Sequence, residues 1–493
     1  MIDTKSTVGT NGTAIDYLAA GKETLITPEQ LAAETLVQEA EAALLSAGAH
    51  DEGHAQAFNL RFHGRFLHSD ALGWMYHTGT HWTTEAAEAA LDRAMVDTLQ
   101  ARIEAALRSG RADQYADLIK KSIPSAGHIA GAKSNLSSIV VALPGDFDTN
   151  PDLLNCPNGV VDLRTGEIRA HSWADRFMHC TNVNYSPTAD PSPWVNWLTE
   201  AVDSKPVVDW LQLAVGYSLT GHTREEILLY LFGPPRSGKG TFTETLLALL
   251  GAPLAKEVNF GTFTAQRTGD SQNFDLAPLK PCRLVAASES NAYERFNEAK
   301  VKALTGGNEV FCAFKHRTHF SYRPQYKIWL SSNQPVNADP DDDAVWGRLR
   351  VIHFPHSHLG AEDKLMKERM RQPANLEGVL AWAVAGAVKW HKLGRAGLPE
   401  LASSAALKRA HREQLDHVGM WLEDCCLVGS DGFTPTATLY LSYETWCHRN
   451  GYEPKKQRGF ANAIVRKGIK TDRRTDCRGF AGIGIKPAPI VTE

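Results

Sequence analysis

Gly233-Pro234-Pro235-Arg236-Ser237-Gly238-Lys239-Gly240-Thr241 is the stretch whose reading decides the fold of this chain. The run Ile227 to Phe232 before it is apolar and reads as a buried strand, and Phe242 to Leu250 after it reads as a helix. Strand, glycine-rich loop and helix in that order form the setting of a phosphate-binding P-loop. Backbone N–H groups of such a loop wrap an anion, and the following helix adds its positive N-terminal end. Lys239 is placed to reach β- and γ-phosphates, so Gly233 to Phe242 are the expected contacts to a nucleoside triphosphate, ATP. The sequence departs from GxxxxGK(S/T) because Gly240 follows the lysine and the hydroxyl comes at Thr241. Thr241 is therefore the expected Mg2+ residue, directly or through water.

Working outward, Arg283 to Glu289 is an apolar strand ending in a carboxylate, the Walker-B form, with Glu289 placed to orient Mg2+ or polarise a water. Lys327 to Asn333 is another buried strand, ending in an amide that contacts the γ-phosphate or the lytic water in ATPases of this layout. Trp346-Gly347-Arg348-Leu349-Arg350 offers guanidinium groups, which stay charged and bind phosphate oxygens in pairs. Arg348 is the first candidate for a finger reaching a neighbouring subunit's nucleotide and Arg350 the second. Val310 to Tyr322 reads as a hairpin with Lys315, His316 and Arg317 at its tip, suited to a nucleic-acid backbone.

The chain has 493 residues, more than one core fills, so roughly two to four domains are expected. Net charge is −4, so nucleic-acid binding has to come from local basic patches. No apolar run spans a bilayer and Met1 to Thr24 lacks the form of a secretory signal, so a cytoplasmic protein, in a bacterial host, is expected. The eight cysteines are scattered without zinc-finger spacing and read as reduced thiols.

The expected order is a tail and short helix (1–49), a mostly helical α+β domain (50–205), an ATPase (206–360), a helical lid (361–403) and a basic C-terminal domain (404–493). Strands alternating with helices after the P-loop predict a three-layer α/β core with a mainly parallel sheet. Asn375 to Leu393 reads as one long helix ended by Gly394 and Gly397. Lys455, Lys456, Arg466, Lys467, Arg473 and Arg474 are interleaved with Phe460, Ile464 and Ile469 and form the candidate duplex-DNA patch.

Taken in order, these elements resemble the superfamily-three helicases, and among them the phage and plasmid primase–helicases related to the poxvirus primase–helicase. The resemblance rests on Gly216 to Gly221 leading into the P-loop, Leu284 to Glu289, Asn297 to Gly307, Tyr326 to Asn333 and Ala344 to Arg350. Asn155 to Glu167 is similar to the family's NGVxDLxTG signature, and Leu439 to Gly451 to its C-terminal winged helix. The resemblance implies an AAA+ fold, a ring (usually a hexamer) with ATP between subunits, and translocation on single-stranded and forked or duplex DNA in replication of a mobile element. It implies Lys239, Thr241, Glu289 and Asn333 in the cis half of the site, Arg348 as trans finger, and Lys315 and His316 in the pore hairpin. The segment before residue 50 is too short for a primase catalytic domain, so no primer synthesis is expected, and a replication initiator or separate primase is the expected partner. Two rivals remain. One is an origin-binding or loading protein switched by ATP without processive unwinding. The other is a P-loop nucleotide kinase, suggested by Ser237-Gly-Lys-Gly-Thr241.

Overall fold

The computed structural model describes residues 18–19, 22–23, 38–264, 273–288, 295–315, 319–474 and 477–487. The chain divides into two compact units, one of residues 1–149 with 171–178 and one of residues 150–170 with 179–493.

In the first unit, α1 (Asp51–Arg61), α2 (Ala87–Arg108), α3 (Ala116–Lys121) and α4 (Ala126–Ile139) accompany a meander of β1 (Phe66–Ser69), β2 (Gly73–His77) and β3 (Trp82–Thr83). The turn at Thr78-Gly79 joins β2 to β3 with His77 opposite Trp82, as the sequence predicts. Phe58, Trp74, Leu91, Met95 and Leu136 fill its core.

The second unit begins with a small antiparallel sheet, β4 (Leu153–Cys156), β5 (Gly159–Asp162) and β6 (Ile168–Arg169). It continues through α5 (Ser192–Val202), α6 (Lys205–Leu219), β7 (Leu228–Phe232), α7 (Lys239–Leu250), β8 (Ala255–Asn259), β9 (Leu284–Ser288) and α8 (Glu298–Thr305). After the hairpin β10 (Val310–Ala313) and β11 (His319–Tyr322) come β12 (Lys327–Ser332), α9 (Asp343–Arg348), β13 (Leu349–His353), α10 (Met366–Met370) and α11 (Pro373–Leu393).

Five of these strands form one parallel sheet in the order β8-β9-β12-β7-β13. Successive strand residues point to opposite faces. Leu229, Leu231, Ala286, Trp329 and Ile352 enter a core shared with α5, α6, α7 and α11. Leu228, Tyr230, Val285, Leu330 and Val351 enter a second core with Phe296, Val301 and Val345. A sheet covered on both faces explains why its inner strands read as continuous apolar runs. The expected three-layer parallel core is present. The edge strand β8 is not among the sequence-predicted strands: Lys256, Glu257 and Asn259 interrupt its apolar pattern, and only Ala255 is fully buried.

α6 and α11 meet backbone to backbone. A Cβ on Gly216 would lie 2.1 Å from the Ala387 nitrogen, and one on Gly386 would lie 1.9 Å from the Gln212 carbonyl oxygen. The β4–β6 sheet and α5 belong to this unit rather than to the first, which departs from a seam at residue 205. Leu154, Val161, Trp194 and Leu198 share the core of Leu229 and Phe242, so burial binds them to the P-loop layer.

The C-terminal segment contains α12 (Ala402–Leu415), α13 (His417–Cys425), β14 (Cys426–Pro435), α14 (Thr436–Arg449), α15 (Gln457–Arg466), β15 (Thr471–Arg474) and β16 (Cys477–Ile485), with the strands antiparallel in the order β14-β16-β15. Leu439, Tyr443, Trp446, Phe460, Ile464 and Ile469 form its own core, so the apolar residues between the basic ones face inward.

Candidate nucleotide site

Parallel register brings the site together. Phe232 pairs with Ser332, and Ser331 pairs with Ser288, so the chain leaves β7, β12 and β9 at one edge of the sheet. Loops beyond the carboxyl ends of parallel strands are where such sheets bind ligands. There a cleft of about 620 Å3 is lined by Pro235 to Thr241, by Ser288 and by Ser331 to Asn333. Glu289 lies outside the described residues, so its placement as a catalytic or Mg2+ residue is an expectation from sequence alone.

The loop has the form a phosphate needs. Gly233 takes φ 155°, and a Cβ there would lie 2.1 Å from the Phe354 carbonyl oxygen. Gly238 caps α7 with φ 98°, and Arg236 adopts φ 60°. The first-turn N–H groups of α7 have no intrahelical acceptor and carry the helix's partial positive charge. Lys239 Nζ donates to the Gly233 and Pro234 carbonyl oxygens at 2.7 and 2.8 Å, to Ser237 Oγ at 3.1 Å and to Asn333 Oδ1 at 3.0 Å. An ammonium has three protons, so four acceptors share them. Burial lowers its pKa to about 8. The P-loop lysine and the strand-end amide, 94 residues apart, thus meet directly.

Thr241 lines the cleft, while Thr243 and Thr245 turn their hydroxyls back onto helix carbonyls. A hydroxyl oxygen beside a phosphate cradle suits a hard Mg2+ ion. Gly240 is not imposed by space: a Cβ there would make only ordinary contacts, at 3.6 Å to Lys367 Nζ and 3.7 Å to Glu244 Oε1.

The sequence reading missed the other walls. Trp197, Glu200 and Ala201 of α5 line the cleft, with His358 and the segment from Ala361 to Lys367. The His358 N–H donates to the Arg236 carbonyl oxygen at 3.1 Å, Ser357 Oγ to that of Pro235 at 2.7 Å, and Lys367 pairs with Glu244 on α7. In sequence, Ala361 to Met370 is an ordinary charged stretch, and Trp197 looks like any core aromatic. Only the chain's return over the P-loop gives them a role.

Arg348 and Arg350 are not brought to this cleft. Leu349 pairs with Leu228, at the opposite end of β7 from the P-loop, about 13 Å away at the usual strand rise. Arg348 pairs with Glu226 at 2.6 Å and donates to the Ala344 carbonyl oxygen at 2.9 Å. Arg350 donates to the Gly347 and Leu349 carbonyl oxygens, and burial lowers its pKa.

The DNA-binding candidates divide. The hairpin forms with Val310 opposite Tyr322, and Lys315 is exposed beside its tip; His316 and Arg317 lie outside the described residues. Phe311 and Phe314 are exposed on the same hairpin. In the C-terminal segment Lys455 bridges Asp339 and Asp341 at 3.1 and 3.0 Å, Arg466 donates to the Asp341 carbonyl oxygen at 3.1 Å, and Lys467 pairs with Asp416. Those three pair with carboxylates and carbonyls within the chain, Arg466 and Lys467 while remaining exposed. Lys456, Arg473 and Arg474 are exposed, with Arg474 resting 4.5 Å over the Phe433 ring.

Residues 55–203 match a family described as D5 N terminal like, 231–348 a family of unknown function, and 413–467 a family described as Poxvirus D5 protein-like. A protein of Acanthamoeba polyphaga mimivirus named "Putative helicase" is 29% identical over 45% of this chain and 24% of its own length. An African swine fever virus protein named "Putative primase" is 26% identical over 41% of this chain and 22% of its own. A "Putative helicase" of Invertebrate iridescent virus 3 is 22% identical over 61% and 35%. The chain therefore spans about a quarter of the length of the first two relatives. A solved structure, the apo NrS-1 C terminal region, aligns with TM-score 0.42 at 14% identity, covering 62% of this chain and 78% of that one. The resemblance to the poxvirus-type primase–helicases, read from the motifs, is borne out. Among the described residues no helix is long and apolar enough to cross a membrane.

Proposed function

We propose that this chain is the ATP-hydrolysing motor of a replication helicase, acting as a ring on single-stranded and forked DNA. The observation that carries the reading is the 3.0 Å contact between Lys239 Nζ and Asn333 Oδ1 at the mouth of the phosphate cradle. Mg2+, held through Thr241, supplies charge neutralisation at the β- and γ-phosphates when bound. The chain does the rest. Loop N–H groups and the α7 terminus fix the phosphate, Lys239 compensates charge developing on the leaving group, and Asn333 orients the attacking water.

The position of Arg348 supports a ring. At the far end of β7 it does not reach its own cleft, which fits the reading that its guanidinium, released from Glu226, serves another subunit's nucleotide. The exposed Lys315, Phe311 and Phe314 give the hairpin a cation for phosphates and rings for bases. The antiparallel β14-β16-β15 set with α13 to α15 is read as a winged helix, holding duplex DNA through Lys456, Arg473 and Arg474. Phosphate contacts by n such side chains give a log–log salt slope of about −0.7n to −0.9n.

Strand displacement on a forked duplex tests the proposal, with Lys239→Ala and Arg348→Ala as controls. Unwinding that needs ATP and disappears in both variants is expected. ATP and DNA binding without strand separation turns the reading to a loading protein, and phosphate transfer to a nucleoside monophosphate turns it to a kinase. Mixing the two variants should restore part of the hydrolysis, because some interfaces then carry both intact halves; no restoration at any ratio removes the shared site.

A further inference from the structure

Three residues far apart in sequence meet at the opposite edge of the sheet from the nucleotide cleft. Asp152 stands just before β4, His222 lies between α6 and β7, and His391 is in the last turn of α11. His222 Nε2 lies 2.7 Å from Asp152 Oδ1, and His391 Nε2 lies 3.4 Å from the same oxygen. All three ligand atoms fall within 4.8 Å of one another. His391 Nε2 is buried and forms no hydrogen bond. We propose that Asp152, His222 and His391 form a binding site for one divalent transition-metal ion of the zinc type, clasping β4, the approach to the P-loop strand and the end of α11.

The chemistry fits on each count. Two imidazoles and one carboxylate are a donor set that zinc-class ions take, leaving a position for water. Zinc–ligand bonds of about 2.0–2.1 Å in a tetrahedron put donor atoms about 3.3 Å apart; the 3.4 Å separation of His391 and Asp152 matches, and the 2.7 Å contact between His222 and Asp152 has to open to admit an ion. The C-terminal carbonyls of α11 add negative potential beside the site.

The frame is also fixed before any ion arrives. The Gly221 N–H donates to the Pro151 carbonyl oxygen at 2.8 Å, and Arg283 donates to the carbonyl oxygens of Pro151 and Asn150. Lys327 holds the carbonyl oxygens of Thr220 and His222. The backbones carrying Asp152 and His222 are thus locked together, and α11 is seated on α6 by Gly216 and Gly386.

The full chain, dialysed against a chelator, tests this by titration with Zn2+ and with Co2+. One equivalent of Zn2+ should bind per chain, resist excess Mg2+ and raise the melting temperature. Co2+ should give the visible d–d bands of a low-coordinate N/O site. His222→Ala and His391→Ala should each weaken Zn2+ binding by more than about a hundredfold, beyond the loss typical of an outer-sphere partner, and His448→Ala should not. Absence of stoichiometric Zn2+ binding, binding unchanged in both histidine variants, or a sulfur-to-cobalt charge-transfer band reporting cysteine ligation would each overturn it. Should the variants fail to fold, the Co2+ spectrum of the unaltered chain decides.

Discussion

Two lysines, one at each end of the central sheet, are built alike and do different things. Lys239 and Lys327 are both buried, and each ammonium is ringed by oxygens. Lys239 shares its protons among the Gly233 and Pro234 carbonyls, Ser237 and Asn333, and lines an open cleft. Lys327 donates to the carbonyl oxygens of Thr220, His222 and Gln325 and lies 4.8 Å over the Tyr217 ring. Burial lowers both pKa values: Lys239 to about 8, and Lys327, with Arg283 nearby, well below the lysine range. A buried cation facing a cleft can exchange its oxygens for those of a phosphate. A buried lysine enclosed by backbone carbonyls and a tyrosine ring cannot, and serves as a tie.

The sharpest way to break this contrast is to remove each charge. Lys239→Ala should lower ATP hydrolysis by about a thousandfold or more, on the scale of lost transition-state donors, while the melting temperature changes little. Lys327→Met should do the reverse. It leaves buried carbonyls without a donor and should cost roughly 3 kcal/mol of stability in denaturant unfolding, with hydrolysis falling only as the folded fraction falls. If Lys327→Met abolishes hydrolysis in a protein of unchanged stability, the assignment of Lys327 as a tie is wrong. Asn333→Ala removes one acceptor from Lys239 and the proposed water-orienting amide. Hydrolysis should drop by about 10- to 100-fold with nucleotide affinity nearly retained, measured as kcat against KM.

The smallest effect is in pH. Lys239 is cationic below about 8, so nucleotide affinity should fall by about tenfold per pH unit above that point. The sign for stability is opposite. Between about 8 and the ordinary lysine value near 10.4 the unfolded chain binds the extra proton, so Lys239 makes the unliganded protein more stable as pH rises through that window. Paired titrations of affinity and unfolding check both signs.

The contrast also marks what the sequence shows by itself. Lys239 is legible because glycines around a lysine between strand and helix have few other uses. Asn333 is legible because β12 reads as a buried strand ending in an amide. Lys327 opens that same strand, and nothing in its neighbours shows that three carbonyls surround it. The wall from His358 to Lys367 and the trio Asp152, His222 and His391 depend on returns of the chain over 70 to 239 residues, which local pattern cannot encode. Lys455 and Arg466 look like DNA contacts until Asp339 and Asp341 are placed beside them. The parallel sheet, by contrast, follows from apolar runs spaced by helices, and only the half-polar edge strand β8 escapes that reading.

The seat of Gly216 on Ala387 and of Gly386 on Gln212 has a mechanical consequence. Helices separated by side chains can absorb a push through rotamer changes, but two backbones in contact have no such cushion. α6 leads to the P-loop strand and α11 runs to Leu393, so their backbone contact makes one stiff piece between the P-loop strand and the chain beyond residue 393. A tilt imposed at the cradle would reach that far end with little lost on the way.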